Sequence, residues 1–184
     1  MPTTSAESAG LRSVHWPGFA FDKACEPALA DLDVEYVWSL YKDVVAANDA
    51  FNDLPTAFLW RCAFRDHKDA HFVIVLRSPE AWIKSIRRHT SGRKIDVMEK
   101  LQYWSIFDDR REHISDYPDD MIRDGYVRYY TTVAGEALRA GVRLATFWLE
   151  DEGIERKLKL EFGWEGSEAK FGDVDINRRF YKSD

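Results

Sequence analysis

The stretch from Arg77 to Ser85 contains the clearest set of side chains that could hold an anion. Arg77 follows the apolar run His71–Leu76, and Ser78 and Pro79 come directly after it. Pro79 is typical of the first position of a helix, whose free backbone N–H groups and positive dipole end attract negative charge. The guanidinium of Arg77 has a planar fork of donors suited to phosphate, and Ser85 lies about two helical turns beyond Ser78, on the same side of the helix. This pattern predicts an anion site.

Further basic residues follow Ser85. We expect Arg87, Arg88, Arg93 and Lys94 to strengthen the positive field around the site. Spacing alone also allows another interpretation, in which Arg77 pairs with a carboxylate and the basic end of the helix is simply solvated.

The site requires a sheet whose strands end at that corner. Short β-favouring runs alternate with segments of helical period, which predicts an α/β fold with a parallel sheet between helices, in three layers. The run His71–Leu76 is apolar after its histidine and half β-branched, so we expect a strand buried on both faces. Arg77 then lies at the carboxyl end of a strand, where open α/β sheets bind ligands. The predicted strands are Ser13–Trp16, Asp49–Phe51, His71–Leu76 and Val142–Trp148.

Apolar residues at three-to-four spacing predict the helices. The first has Asp31 or Asp33 as its cap, the third has Ser78, and Gly141 ends the fifth. The predicted helices cover about 34–45, Pro55–Arg65, a segment starting at Pro79, Ile95–His113, Asp119–Arg139 and Ile154–Phe162.

Length and composition predict one domain over residues 1–184. The chain is 45% hydrophobic and 14% aromatic, and its formal net charge of -6 gives no overall attraction to nucleic acid or anionic lipid. No apolar run approaches the roughly 20 residues that span a bilayer. Cys25 and Cys62 are too few for a disulfide framework and are predicted to be core thiols. We therefore expect a cytoplasmic protein with no nucleic-acid or membrane partner.

Five segments resemble, in order, segments of the bacterial P-loop sulfotransferase family. The segment LRSPEAWIKS, residues 76–85, resembles the part of these enzymes in which a strand-end arginine and a serine eight residues later bind a 3'-phosphate. The resemblance covers about residues 13–164. Its segments are SVHWPG (13–18), NDAFNDLP (48–55), HFVIVLRSPEAWIKSI (71–86), RLATFWLED (143–151) and LKLEFGW (158–164).

This resemblance implies a P-loop fold and a function. The family transfers a sulfuryl group from 3'-phosphoadenosine 5'-phosphosulfate (PAPS) to a hydroxyl or amine of a small-molecule or glycan acceptor, without a metal ion. It implies that Arg77 and Ser85 bind the 3'-phosphate of PAPS. Thr3, Thr4 and Ser5 stand in the place of the hydroxyl residues that close the family's loop around the 5'-phosphosulfate.

The chain departs from the family pattern before Ser13. The family begins with a central strand and a glycine-containing loop with a lysine or arginine, and residues 1–12 offer neither the strand nor the basic residue. We expect a gap between the strands Asp49–Phe51 and His71–Leu76, because unpaired backbone groups in a dry interior are costly. Three outcomes are open: the sheet closes up, residues 1–10 or the tail fill the gap, or a partner chain fills it, by homo-oligomerisation or strand exchange.

A sulfotransferase also needs a group that takes the acceptor's proton. Asp53 is our candidate base, because it stands two residues before Pro55, near where many cytosolic relatives have a histidine. The alternative role is a cap for a helix beginning at Pro55. His67 and His71 lie four residues apart, but a surface turn explains them better than a metal site.

Three functions remain in order of preference. The first is a PAPS-dependent sulfotransferase, and the second is a non-catalytic descendant that binds a nucleotide or another protein. A phosphoryl-transferring kinase ranks third, because neither a lysine-bearing loop nor a clear magnesium carboxylate is visible.

Overall fold

The structure, a computed structural model, describes residues 12–14 and 18–163, apart from the side chain of Phe19. Within these residues the chain alternates strands and helices, as the sequence predicts. The strands are β1 Ser13–Val14, β2 Ala50–Phe51, β3 His71–Leu76 and β4 Arg143–Trp148. The α-helices are α1 Phe19–Cys25, α2 Val34–Ala46, α3 Trp60–Asp66, α4 Pro79–His89, α5 Val97–Phe107, α6 Asp119–Ala140 and α7 Ile154–Glu161.

Local caps explain where most helices begin and end. The side chain of Asp33 accepts from the backbone at the start of α2, and that of Ser78 does the same for α4. Helix α5 begins with a capping box of Asp96 and Glu99 and ends at Asp108, which adopts the left-handed conformation, so it is shorter than the predicted Ile95–His113. The prediction of a helix from Pro55 was wrong by about one turn, because α3 begins only at Trp60.

The strands form two separate parallel pairs. β1 pairs with β2, and β3 pairs with β4 over six residues, from His71 opposite Arg143 to Leu76 opposite Trp148. This is an α/β arrangement, but the single sheet that we expected is divided into two. Within the described residues the sheet therefore does not close up. Whether a segment or a second chain joins the two pairs stays a prediction.

Strand β3 is less buried than its sequence predicts. None of its six residues is fully buried, and Val75 is 44% exposed. The reason is that β3 pairs only with β4 in the described part of the chain. An apolar run predicts burial on both faces, but burial requires a neighbour on each side.

The core consists of three apolar clusters between the helices. One cluster joins α1, α2 and α5 and contains both cysteines, Cys25 and Cys62, as predicted. A second packs α4 against α5 and α6, and a third packs α3 and α6 against the β3–β4 pair. None of the helices described has the length and apolar content that crossing a bilayer requires.

Candidate anion-binding site

Arg77 and Ser85 lie in direct contact at the carboxyl end of β3. The Nη1 of Arg77 donates a hydrogen bond to the Oγ of Ser85 over 3.1 Å. No carboxylate of the described residues lies within ion-pairing distance of this guanidinium, so the alternative of an internal ion pair does not apply. The strand end and the helix two turns later therefore direct one full positive charge and one hydroxyl to the same place.

The backbone of Arg77 is fixed by a tyrosine of α6. The Arg77 N–H donates to the hydroxyl of Tyr126 over 3.0 Å, and this hydroxyl donates to the Arg77 carbonyl oxygen over 2.8 Å. Burial raises the pKa of Tyr126, which keeps its hydroxyl protonated and able to donate. This pair of bonds fixes the direction in which the chain leaves β3, and hence where the guanidinium points.

A carboxylate lies at the start of α4. The backbone N–H of Ser78 donates to Oε1 of Glu150 over 3.1 Å, while the Ser78 hydroxyl accepts from the Ala81 N–H at 3.4 Å. Glu150 follows β4, whose carboxyl end lies beside that of β3. One amide of the helix terminus is therefore already bonded to a negative group, which weakens the attraction of this corner for an anion.

The basic residues after Ser85 do not strengthen the positive field as we expected. Arg87 pairs with Asp119, Arg93 with Glu99 and Lys94 with Glu112. Each pair places a negative charge within hydrogen-bonding distance of the positive one, so its field falls off steeply. The positive charge near the corner is concentrated on Arg77.

Asp53, the candidate base, lies in a turn and does not cap a helix at Pro55. Its φ of 64° is in the left-handed region, which aspartate tolerates better than most residues. The negative charge of Asp53 is among the causes that raise the pKa of His89, after the hydrogen bond from His89 to Glu99. His89 lies four residues beyond Ser85, one turn further along the same face of α4. The Asp53 turn thus approaches the helix that carries Ser85.

A buried carboxylate organises the end of α4. Glu99 is only 5% exposed and accepts from both terminal nitrogens of Arg93, at 2.7 and 2.6 Å, while the Nε2 of His89 lies 3.5 Å away. Burial disfavours its charge, but hydrogen bonds from His89, Arg93 and the Asp96 amide outweigh this and lower the pKa of Glu99 to about 2. This cluster fixes the segment that faces the Asp53 turn.

Two parts of the predicted site remain to be placed. Thr3, Thr4 and Ser5 lie outside the described residues. Among the residues described, no group of three or more histidine, cysteine or acidic side chains is arranged to hold a metal ion.

Sequence reasoning missed Tyr126 and Glu150. Tyr126 was grouped with the aromatic residues that pack the core, which it also does. Glu150 could have been found, because an acidic residue just after β4 must lie near the end of β3 if the two strands are parallel neighbours.

Comparison with known proteins gives one match. A family model described as a sulfotransferase domain matches residues 20–151, which include Asp53, Arg77, Ser85 and Glu150. No curated protein and no solved structure matches the chain.

Proposed function

Because the chain belongs to the sulfotransferase family, we propose that it transfers a sulfuryl group from PAPS to a hydroxyl or amine of a small-molecule acceptor. The observation that supports this most directly is the contact between Arg77 and Ser85. The family resemblance assigns these two positions to the 3'-phosphate of PAPS, and an arginine without a carboxylate partner among the described residues is suited to that ligand.

The chemistry of the two side chains fits a phosphate. The Ser85 oxygen accepts a hydrogen bond from Arg77, which leaves the hydroxyl hydrogen free to donate to a phosphate oxygen. The remaining N–H groups of the Arg77 guanidinium can donate to a second oxygen. Exposed apolar side chains at the same ends of the strands, Val75 and Trp148, offer surface for the nucleoside.

Asp53 is the proposed base. The acceptor oxygen or nitrogen would bond to sulfur as the bond between sulfur and the 5'-phosphate oxygen breaks, and Asp53 would take the acceptor's proton. The products would be the sulfated acceptor and 3',5'-ADP. Thr3, Thr4 and Ser5 are proposed to contact the 5'-phosphosulfate, as the family resemblance implies.

Calorimetric titration with 3',5'-ADP tests the phosphate contacts. We expect Arg77→Ala to weaken binding at least tenfold and Ser85→Ala about three- to tenfold, since hydrogen bonds to charged groups contribute about 1.5–3 kcal/mol. Arg156→Ala, which removes an arginine of α7, serves as the control for charge and should bind as the wild type does. Equal affinity of the wild type and Arg77→Ala would contradict the assignment.

A transfer assay tests the reaction. The wild type is incubated with sulfur-labelled PAPS and a panel of phenols, alcohols and amines, and labelled product is measured. Asp53→Asn should lower kcat by about 10²- to 10⁴-fold, the usual contribution of a general base, without changing the affinity for 3',5'-ADP. Binding of 3',5'-ADP by the wild type without transfer to any acceptor would instead indicate a non-catalytic nucleotide-binding protein.

A further inference from the structure

A second positively charged cavity lies between α3, α5 and α6. Its volume is about 170 Å³, and it shares no lining residue with the Arg77 corner. Its lining combines two guanidiniums, two hydroxyls and apolar side chains. These are Arg61, Arg128, Ser105, Thr132, Phe58 and Ile106.

Both arginines are oriented by contacts that leave their charge without a partner. The Cζ of Arg61 lies 4.2 Å from the centre of the Trp60 ring, so the guanidinium is held over the ring while its N–H groups stay available. Arg128 donates to the carbonyl oxygen of Ile106 near the end of α5, over 3.0 Å, and retains its other N–H groups. No carboxylate in the part of the chain that the structure describes forms an ion pair with either, whereas Arg93, for example, is paired.

The two hydroxyls cannot replace such a partner. Ser105 donates to the carbonyl oxygen of Gln102 over 2.7 Å, and Thr132 donates to that of Arg128 over 2.8 Å. Each hydroxyl has one hydrogen, which is used inside its own helix. The donors that face the cavity are therefore the guanidiniums, and their two positive charges lie at its wall without a negative charge between them.

We propose that this cavity binds a small organic oxyanion, a carboxylate or sulfate ester, whose charged group meets Arg61 and Arg128. The apolar body of the ligand packs against Phe58 and Ile106, which are 4% and 1% exposed. At a share of about 30 Å³ per water molecule, the volume corresponds to five or six waters, which is room for an oxyanion and a small ring. This inference stands on the cavity alone and does not depend on sulfuryl transfer.

The indole N–H of Trp60 provides a local reporter in a nitrogen-15 NMR spectrum, assigned with Trp60→Phe. Benzoate, phenyl sulfate and inorganic sulfate are titrated separately at low salt. We expect the two organic anions to shift this signal with saturation and inorganic sulfate to bind several-fold more weakly. Inorganic sulfate binding as well as both organic anions would overturn the assignment to an organic ligand, and a preference between benzoate and phenyl sulfate identifies the charged group.

Variants test the two guanidiniums. Arg61→Gln and Arg128→Gln should each weaken binding about threefold or more, and 0.5 M salt should weaken it further, because both side chains are exposed. Arg156→Gln is the matched control and should bind as the wild type does. Arg61→Gln is the decisive variant, because Arg128→Gln also loses the bond to Ile106. Unchanged binding by Arg61→Gln, or equal weakening by Arg156→Gln, would overturn the proposal.

Discussion

Replacing Glu150 by glutamine should tighten the binding of 3',5'-ADP. The carboxylate of Glu150 accepts from the Ser78 N–H over 3.1 Å and therefore lies at the helix start to which we assign the 3'-phosphate. Glutamine has nearly the same shape, and its side-chain oxygen can accept the same bond. The substitution thus removes one negative charge and leaves the local geometry in place.

The size of the effect follows from the charges. If the carboxylate and the phosphate bind neighbouring groups about 6 Å apart, two unit charges in water repel by about 0.7 kcal/mol, and a doubly charged phosphate doubles this. Screening at physiological salt removes roughly half of it. We therefore expect Glu150→Gln to lower Kd between about threefold and tenfold, with the larger gain at low salt.

Calorimetry at two salt concentrations measures this gain. Glu26→Gln, in an exposed 3-10 segment, changes the net charge equally and serves as the control; its Kd should equal that of the wild type. The reasoning is refuted if Glu150→Gln binds 3',5'-ADP no better than the wild type while Arg77→Ala still abolishes binding. That combination would mean that the phosphate contacts Arg77 but lies far from the start of α4.

Three further predictions concern stability and reactivity. Glu99→Gln should lower the free energy of unfolding in urea by about 3 kcal/mol at pH 7, because it leaves a buried guanidinium without its partner. Since the pKa of Glu99 is lowered from 4.5 to about 2, the difference from wild type is full above pH 4.5 and should shrink at pH 3. Gly125→Ala would place a methyl group 2.9 Å from a backbone oxygen of α5 and should cost about 2 kcal/mol in thermal unfolding, whereas Gly135→Ala meets nothing closer than 3.9 Å and should not destabilise. Burial raises the pKa of Cys25 to about 12 and that of Cys62 to about 11, so a thiol reagent at pH 8 should label both slowly until urea unfolds the chain.

Sequence patterns predicted those parts of the fold that depend on neighbouring residues. The starts of α2 and α4 were predicted with their caps, Asp33 and Ser78, because a cap acts within one turn. The end of α5 was missed, since its periodicity continues past Asp108 although the chain turns there. The bounds of β3 were right and its burial was wrong, because burial depends on what pairs with the other edge.

The candidate site shows the same division. Arg77, Ser78 and Ser85 lie within nine residues, so helix geometry was enough to predict that they face one another. Tyr126 and Glu150 reach the same corner from residues 49 and 72 positions away, and no local pattern indicates them. Pairing of basic residues was missed for the same reason: the partner of Arg87 is 32 residues away.

Charge makes the short-range contacts decisive for any nucleotide that binds here. A net charge of -6 repels a polyanion at long range, and the basic side chains after Ser85 that we expected to counter this are paired with carboxylates. Attraction must therefore come from groups in contact with the ligand, chiefly Arg77, against the opposing charge of Glu150. Salt screens the long-range repulsion and the local attraction together, so their effects on affinity partly cancel. The balance between these two side chains, more than the overall potential, determines whether the corner holds a phosphate.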